Sequence, residues 1–179
     1  MSEFGVVGWP AGAIRTERLV LRPSEARDRD AVIELLASAE VGAYVGGARD
    51  RGELERTLPE VPGQRPGFFV VELEGAAIGT VTLDARSAES TGYPEAGKVE
   101  LGYLFLPHAW GRGYAAEACA AALTWFATTH PGESVALCTQ TANDRSLRLA
   151  TKLGFTELTR YHAYGAEQCL ATWSDHVQS

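Results

Sequence analysis

The chain has 179 residues, 45% of them apolar and 22% charged, a composition that excludes collagen, coiled coil and wholesale disorder and favours one globular domain. Asp and Glu number 23 against 16 Lys and Arg, a formal charge of −7, which is the wrong sign for a protein that binds nucleic acid by neutralising phosphates. An amine-bearing partner suits this balance better.

In chain order, Thr16-Glu17-Arg18 leads into Leu19-Val20-Leu21-Arg22, a short strand stopped by Pro23, which cannot donate to a sheet ladder. Asp28 is positioned to cap a helix of about ten residues, with Val32, Leu35 and Leu36 on one face and Ile33 widening it. From Val41 to Pro66 the pattern is poor, apart from a short helix expected at Asp50 to Leu58, and this stretch reads as a substrate-side loop region. Phe68 to Leu73 and Ala77 to Leu83 form a hairpin about Glu74-Gly75, with Gly79 marking a bulge or a close approach. A polar loop from Arg86 to Gly97 precedes a strand from Lys98 to Leu106.

A helix from about Ala115 to Thr129 carries Ala115, Ala118, Cys119, Ala122, Leu123 and Phe126 on one face, and its small residues allow it to lie close to a sheet. Val135 to Gln140 then completes a β-α-β unit, so the flanking strands should be parallel and joined by a right-handed crossover. Asn143 caps a further helix that ends at Gly154, a suitable left-handed C′ residue. Phe155 to Arg160 and Cys169 to Trp173 close the chain as strands, with a loop between them at Tyr164-Gly165. No repeat or linker interrupts the pattern, giving an N-terminal extension at 1–14, one domain at 15–175 and a tail at 176–179.

Cys119, Cys138 and Cys169 lie far apart without CxxC spacing, so neither a disulfide framework nor a zinc site is expected, and all three read as buried, inert thiols of a reducing cytosol. His108, His130, His162 and His176 form no ligand spacing, and no metal is expected. No apolar run approaches the roughly 20 residues of a membrane helix, and residues 1–13 lack a basic segment followed by an apolar one. The expected location is therefore the cytoplasm, without a membrane partner.

Two segments carry candidate chemistry. Trp110-Gly111-Arg112-Gly113-Tyr114-Ala115 lies between a strand and a helix, where first-turn N–H groups point outward and carry positive partial charge. Glycine at 111 and 113 lets phosphate oxygens approach the backbone, and Arg112 adds a cation; the alternative is a helix start with two turn glycines. Gly111-x-Gly113-x-x-Ala116 also matches a dinucleotide fingerprint, but several strands precede it and the next strand ends Thr139-Gln140-Thr141, without the acidic residue a ribose requires. No lysine follows in the P-loop position. In the second segment, Ser146, Leu149, Ala150 and Leu153 share a helix face, so the Ser146 hydroxyl needs either a backbone carbonyl of its own helix or a ligand.

Four segments now coincide in order: Thr16 to Pro23, Glu100-Leu101-Gly102-Tyr103, Trp110 through Glu117-Ala118, and Asn143-x-x-Ser146 through Lys152-Leu153-Gly154-Phe155. Together they resemble the GCN5-related N-acetyltransferase family, in the branch similar to RimJ and RimL, from about Thr16 to near Trp173. In the family's pyrophosphate signature Trp110 replaces Gln or Arg, as is usual in that branch, while Gly113 and Ala115 fit.

The resemblance implies an α/β (α+β) fold: a mixed, mostly antiparallel twisted sheet of six or seven strands, helices on both faces, and a splayed parallel pair that binds acetyl-CoA. It implies that the backbone of Tyr103 faces the thioester carbonyl and that of Phe105 the pantetheine arm. Trp110, Gly111, Arg112, Gly113, Tyr114 and Ala115 would hold the diphosphate. Asn143 would hold the pantetheine end and Ser146 reach the sulfur. Many relatives carry a tyrosine acid where this chain has Ala150, which leaves Ser146, or a water it holds, as donor to the leaving thiolate. Glu100 occupies the general-base position of some relatives, or else is a structural strand carboxylate.

The expected reaction is direct acetyl transfer to an amine, with a protein or peptide N-terminus or a small amine as acceptor. A CoA-binding module with little catalysis is the other reading, and a homodimer is left open. Trp125, Phe126, Leu123 and Leu149 read as core; Tyr161 and Tyr164 fall in a late loop that could line the acceptor side.

Overall fold

A computed structural model describes Pro10 and residues 12–86 and 93–175. Most of the N-terminal extension, the middle of the polar loop after Arg86, and the tail with His176 lie outside the described residues.

Among the described residues eight strands form one sheet in the order β1-β2-β3-β4-β5-β6-β8-β7. They are β1 (Ile14–Arg15), β2 (Leu19–Arg22), β3 (Phe68–Leu73), β4 (Ala76–Ala85), β5 (Val99–Phe105), β6 (Val135–Gln140), β7 (Thr156–Ala163) and β8 (Ala166–Trp173). The expectation of six or seven strands misses β1, whose two residues pair with Val20 and Leu21 at the sheet edge and are too few to show any alternation. Every pairing is antiparallel except β5 with β6.

Among the described residues five α-helices join the strands: α1 (Arg29–Ala37), α2 (Ala39–Gly42), α3 (Arg51–Thr57), α4 (Tyr114–Thr129) and α5 (Asp144–Leu153). They cover both faces of the sheet. Val81, Leu83, Leu101 and Phe105 share a core with Ala118, Cys119 and Ala122 of α4. Thr80, Thr82, Gly102 and Leu104, on the opposite face by strand alternation, lie beneath Val32, Leu35 and Leu36 of α1. Ala118, Cys119 and Ala122 are fully buried, so α4 rests close to the strands as its small residues predict.

Asp28 stands at the N-cap of α1 but makes no side-chain cap bond. Its carboxylate instead takes two hydrogen bonds from Arg22, at 2.7 and 2.9 Å, and one from the Glu25 N–H at 2.8 Å. Burial alone would raise the Asp28 carboxyl, but these hydrogen bonds outweigh it and hold the group below the usual carboxylate range. The pair fastens the end of β2 to the start of α1.

Gly79 combines the two roles expected of it. The β3–β4 register shifts between Val71 and Glu72, opposite Gly79 and Ala77, and a Cβ at 79 would lie 2.5 Å from the Leu104 carbonyl oxygen. No helix among the described residues is long and apolar enough to cross a membrane.

Candidate active site

The β5–β6 pairing covers only Val99 with Val135 and Glu100 with Ala136, after which the strands separate. Which backbone groups face the gap follows from the β4–β5 ladder. At its two ends the Arg86 N–H bonds the Lys98 oxygen and the Leu106 N–H bonds the Ile78 oxygen, and the register between them is unbroken. Even-numbered residues of β5 therefore bond β4, and the N–H and C=O of Leu101, Tyr103 and Phe105 turn toward β6. Beyond the Glu100–Ala136 bridge, which the Leu101 N–H closes, those of Tyr103 and Phe105 meet no strand there, leaving strong polar groups that require other partners.

One of these groups is already engaged. The Trp110 indole N–H donates to the Phe105 carbonyl at 2.7 Å, and the ring packs against the core. Trp110 thus pins the turn after β5 rather than presenting its own donor outward.

The same turn opens α4. Gly111 and Gly113 have φ of 75° and 79°, a left-handed conformation that costs other residues strain, and Gly113 is the N-cap with no side-chain cap bond. The first-turn N–H groups of Tyr114, Ala115 and Ala116 are left pointing out of the helix. Arg112 is exposed, and two further arginines flank the turn. The Arg18 side chain donates to Glu117 at 2.8 Å and to the Arg112 carbonyl at 3.0 Å, and it lies 4.5 Å over the Tyr114 ring. Glu117 also accepts from Thr16 at 2.5 Å, so the segment before β2 is clasped to α4. Arg145 of α5 sits 4.2 Å over the Trp110 ring. Sequence reasoning did not assign Arg18 or Arg145 to this turn, although both lie inside the segments it singled out.

At the start of α5 the Asn143 side chain accepts the Ser146 N–H at 3.3 Å, so its oxygen is a cap and its amide NH₂ remains for a ligand. Ser146 is buried, and its hydroxyl partner is neither of the two expected: it lies 2.6 Å from the phenol oxygen of Tyr103. Burial, partly opposed by that hydrogen bond, pushes the Tyr103 phenol up to about 12. The strand tyrosine foreseen only for its backbone therefore also delivers a neutral hydroxyl to the serine.

On the opposite face of the sheet, burial pushes the Glu100 carboxyl up, with Arg86 opposing and Asp84 adding to the rise. Cys138 is only half-buried, contrary to expectation, because its strand runs along the open gap; its thiol lies 3.2 Å from the Tyr161 hydroxyl. Burial raises the thiols of Cys138 and Cys169 as well as Cys119, which is fully enclosed.

Tyr161 lies within β7 rather than in a loop, since Tyr164-Gly165 is a two-residue turn with φ of 54° and 77°. Tyr164 is exposed at its tip. Trp125, Phe126 and Leu123 belong to the core and Leu149 is half-buried. His130 stacks on Phe126 and meets Thr129, His108 is exposed in the turn after β5, and no metal-binding cluster occurs among the described residues.

A family model described as an acetyltransferase (GNAT) domain matches residues 18–156. An uncharacterised N-acetyltransferase p20 of Bacillus licheniformis is 28% identical over 149 residues, which cover 78% of this chain and 80% of that one. The fold is similar to an acetyltransferase of the GNAT family from Bacillus anthracis, with a TM-score of 0.74 and 22% identity over 90% of this chain and 98% of that one. It is also similar to RimL, a ribosomal L7/L12 alpha-N-protein acetyltransferase in complex with coenzyme A, with a TM-score of 0.70 and 14% identity over 90% of this chain and 97% of that one.

Proposed function

The chain belongs to the GNAT acetyltransferase family, and from that premise we propose that it transfers acetyl from acetyl-CoA directly to an amine, the α-amino group of a peptide or protein N-terminus. The observation that carries this reading is the separation of β5 from β6 beyond Glu100, with the backbone of Tyr103 and Phe105 facing the gap beside the first turn of α4.

These residues fit the donor's chemistry. A diphosphate suits the N–H groups of Tyr114, Ala115 and Ala116 at the positive end of α4, with Arg112, Arg18 and Arg145 around it. The pantetheine amides suit the strand edge and the free NH₂ of Asn143. Acetyl-CoA supplies an acetyl thioester; the chain supplies orientation, an oxyanion donor and proton handling. The Tyr103 N–H donates to the thioester oxygen as negative charge develops there. The Ser146 hydroxyl donates to the departing sulfur, and Tyr103 O–H, donating in turn to Ser146 Oγ, leaves the serine proton free for that task. A thiol of pKa near 8.5 needs only modest assistance.

Glu100 takes the amine proton, directly or through water. An α-amino group with pKa about 7.7–8.0 is partly neutral at cellular pH, whereas a lysine near 10.4 is not, so a single weak base suits N-terminal amines. Burial pushes up the thiol of the enclosed Cys119 and that of the half-buried Cys138, which faces a tyrosine, so neither is a ready nucleophile and the transfer is direct, without a covalent acyl-enzyme.

The test is release of CoA thiol from acetyl-CoA across peptides with free and blocked N-termini and a panel of small amines, with mass spectrometry locating the acetyl group. Acetylation at peptide α-amines supports the reading. Turnover confined to small amines reassigns the acceptor, and donor binding without turnover on any amine refutes direct acetyl transfer by these residues.

A further inference from the structure

A cavity of about 390 Å³ opens on the α1 face of the sheet, the lower part of the roughly 300–1,000 Å³ range of small-molecule sites. Its floor is Thr80, Thr82, Gly102 and Leu104 of β4 and β5. Its walls are apolar: Val32, Leu35 and Leu36 from α1, then Leu58, Pro62 and Phe68. Glu100 lies on the same side of β5 as Gly102 and Leu104, about 6–7 Å along the strand from Gly102 at the rise of an extended chain. An amine held at Glu100 therefore has the cavity beside it.

The charges around the cavity are as informative as its walls. Among the described residues no carboxylate lines it, and the ionic group there is Arg65. Arg65 lies 5.1 Å over the Phe68 ring and makes two hydrogen bonds of 3.0 Å to Asp84. The nearby acid is thus already paired, and a second ammonium group placed in the cavity would meet apolar walls, two threonine hydroxyls and a guanidinium, with no lining carboxylate to offset its desolvation. A polycationic acceptor such as an aminoglycoside finds no set of carboxylates in this cavity.

We infer that the acceptor carries one reacting amine next to an uncharged apolar group, and that this group occupies the cavity between α1 and the β4–β5 floor. The inference rests on the acyl-transfer reading above and deepens it. For a peptide it selects the first side chain: only two covalent bonds separate an α-amino nitrogen from Cβ, so the amine at Glu100 and an apolar side chain over Gly102 belong to one residue. Methionine, leucine and phenylalanine suit the site; serine, aspartate and lysine do not.

The experiment compares kcat/KM for otherwise identical peptides beginning with Met, Leu, Phe, Ser, Asp or Lys, together with an aminoglycoside, at saturating acetyl-CoA. Burial of such a side chain predicts a preference of roughly tenfold to a hundredfold for the apolar set. Leu36 is half-buried on the wall, so Leu36→Glu should fold. It should lower kcat/KM for the leucine peptide and raise it for the lysine peptide, with KM for acetyl-CoA unchanged. Turnover that is indifferent to the first residue, or that favours charged residues or the aminoglycoside, overturns the inference while leaving the acyl-transfer reading intact. Absence of thiol release with every acceptor overturns the acyl-transfer reading and this inference with it.

Discussion

Replacing Ser146 by alanine probes the proposed proton path most directly. The hydroxyl is buried and lies 2.6 Å from Tyr103 Oη, so the substitution removes the donor to the sulfur and strands the phenol together. A hydrogen bond to a charged group is worth about 1.5–3 kcal/mol, which predicts a fall in kcat of roughly tenfold to 150-fold at about 1.36 kcal/mol per decade, with little change in KM for acetyl-CoA. Tyr103→Phe keeps Ser146 but removes the group that orients it. A neutral hydrogen bond of about 0.5–1.5 kcal/mol predicts a smaller loss, roughly twofold to tenfold. The double variant should be little slower than Ser146→Ala alone, because both substitutions break one path. Stability supplies a second readout: Ser146→Ala leaves the half-buried Tyr103 phenol without its partner, at no more than about 1–3 kcal/mol, and adding Tyr103→Phe should return part of that loss in thermal unfolding. Steady-state thiol release at saturating donor measures the kinetics. If Ser146→Ala raises KM for acetyl-CoA and spares kcat, the serine binds and does not donate. Because the Tyr103 phenol is pushed up to about 12, a basic limb near pH 9 that vanishes in Tyr103→Phe would refute its role as a neutral donor.

Gly113→Val places a β-branched residue at φ 79°, a conformation costing about 1–3 kcal/mol; acetyl-CoA affinity measured by calorimetry should fall, and unchanged affinity would contradict the diphosphate assignment. Glu100 must be ionised to accept a proton, and its carboxyl is raised by burial, so the acidic limb of kcat/KM should lie above the usual carboxylate range and disappear with the activity in Glu100→Gln. The same shift has a consequence for stability: a raised folded-state value means that ionising Glu100 costs stability, so Glu100→Gln should stabilise the fold at neutral pH and lose that advantage below about pH 4.3. Asp28→Ala removes the nearest carboxylate from Arg22, whose side chain is only 9% exposed but keeps Glu72 at 3.5 Å and Glu25 at 3.8 Å, and should cost less in denaturant unfolding than the about 3–5 kcal/mol of a wholly unpaired buried charge. Since the Asp28 carboxyl is held low, that contribution is present at neutral pH and is lost as pH falls through the folded-state value.

The elements legible in the sequence are those whose signal is local. Runs of β-branched and aromatic residues about Glu74-Gly75 defined β3 and β4, the three-to-four spacing of small residues defined α4, and the β-α-β succession required β5 and β6 to be parallel. What stayed hidden depends on partners outside the element that carries the residue. Asp28 has every local mark of a cap, yet an arginine six residues earlier claims its carboxylate in a buried setting where an unpaired charge would cost far more than an uncapped turn. Ser146 offered a choice between its own helix and a ligand, and took a phenol 43 residues away, on a strand whose parity could be counted but whose distance from α5 could not. Arg18 and Arg145 belonged to recognised segments, but their convergence on one turn depends on how α4 and α5 pack.

The separation of β5 from β6 explains why these pieces meet. Once the strands part, their facing edges cannot satisfy each other, and the chain leaves each strand by turning into a helix at that same end: α4 after β5 and α5 after β6. Both helix N-termini thereby flank one opening, the general placement of ligands at the carboxyl ends of parallel strands. Trp110 holds the first turn by bonding the Phe105 carbonyl, and Arg145 reaches across from the second to lie on the same indole. The proposed donor side is thus built from backbone groups and helix ends, whose positions are set by topology. The proposed acceptor side is built from α1 and the segment before β3, where side-chain identity would set what enters. Substitutions on the α1 face should therefore change which amine is acetylated without changing how acetyl-CoA is held.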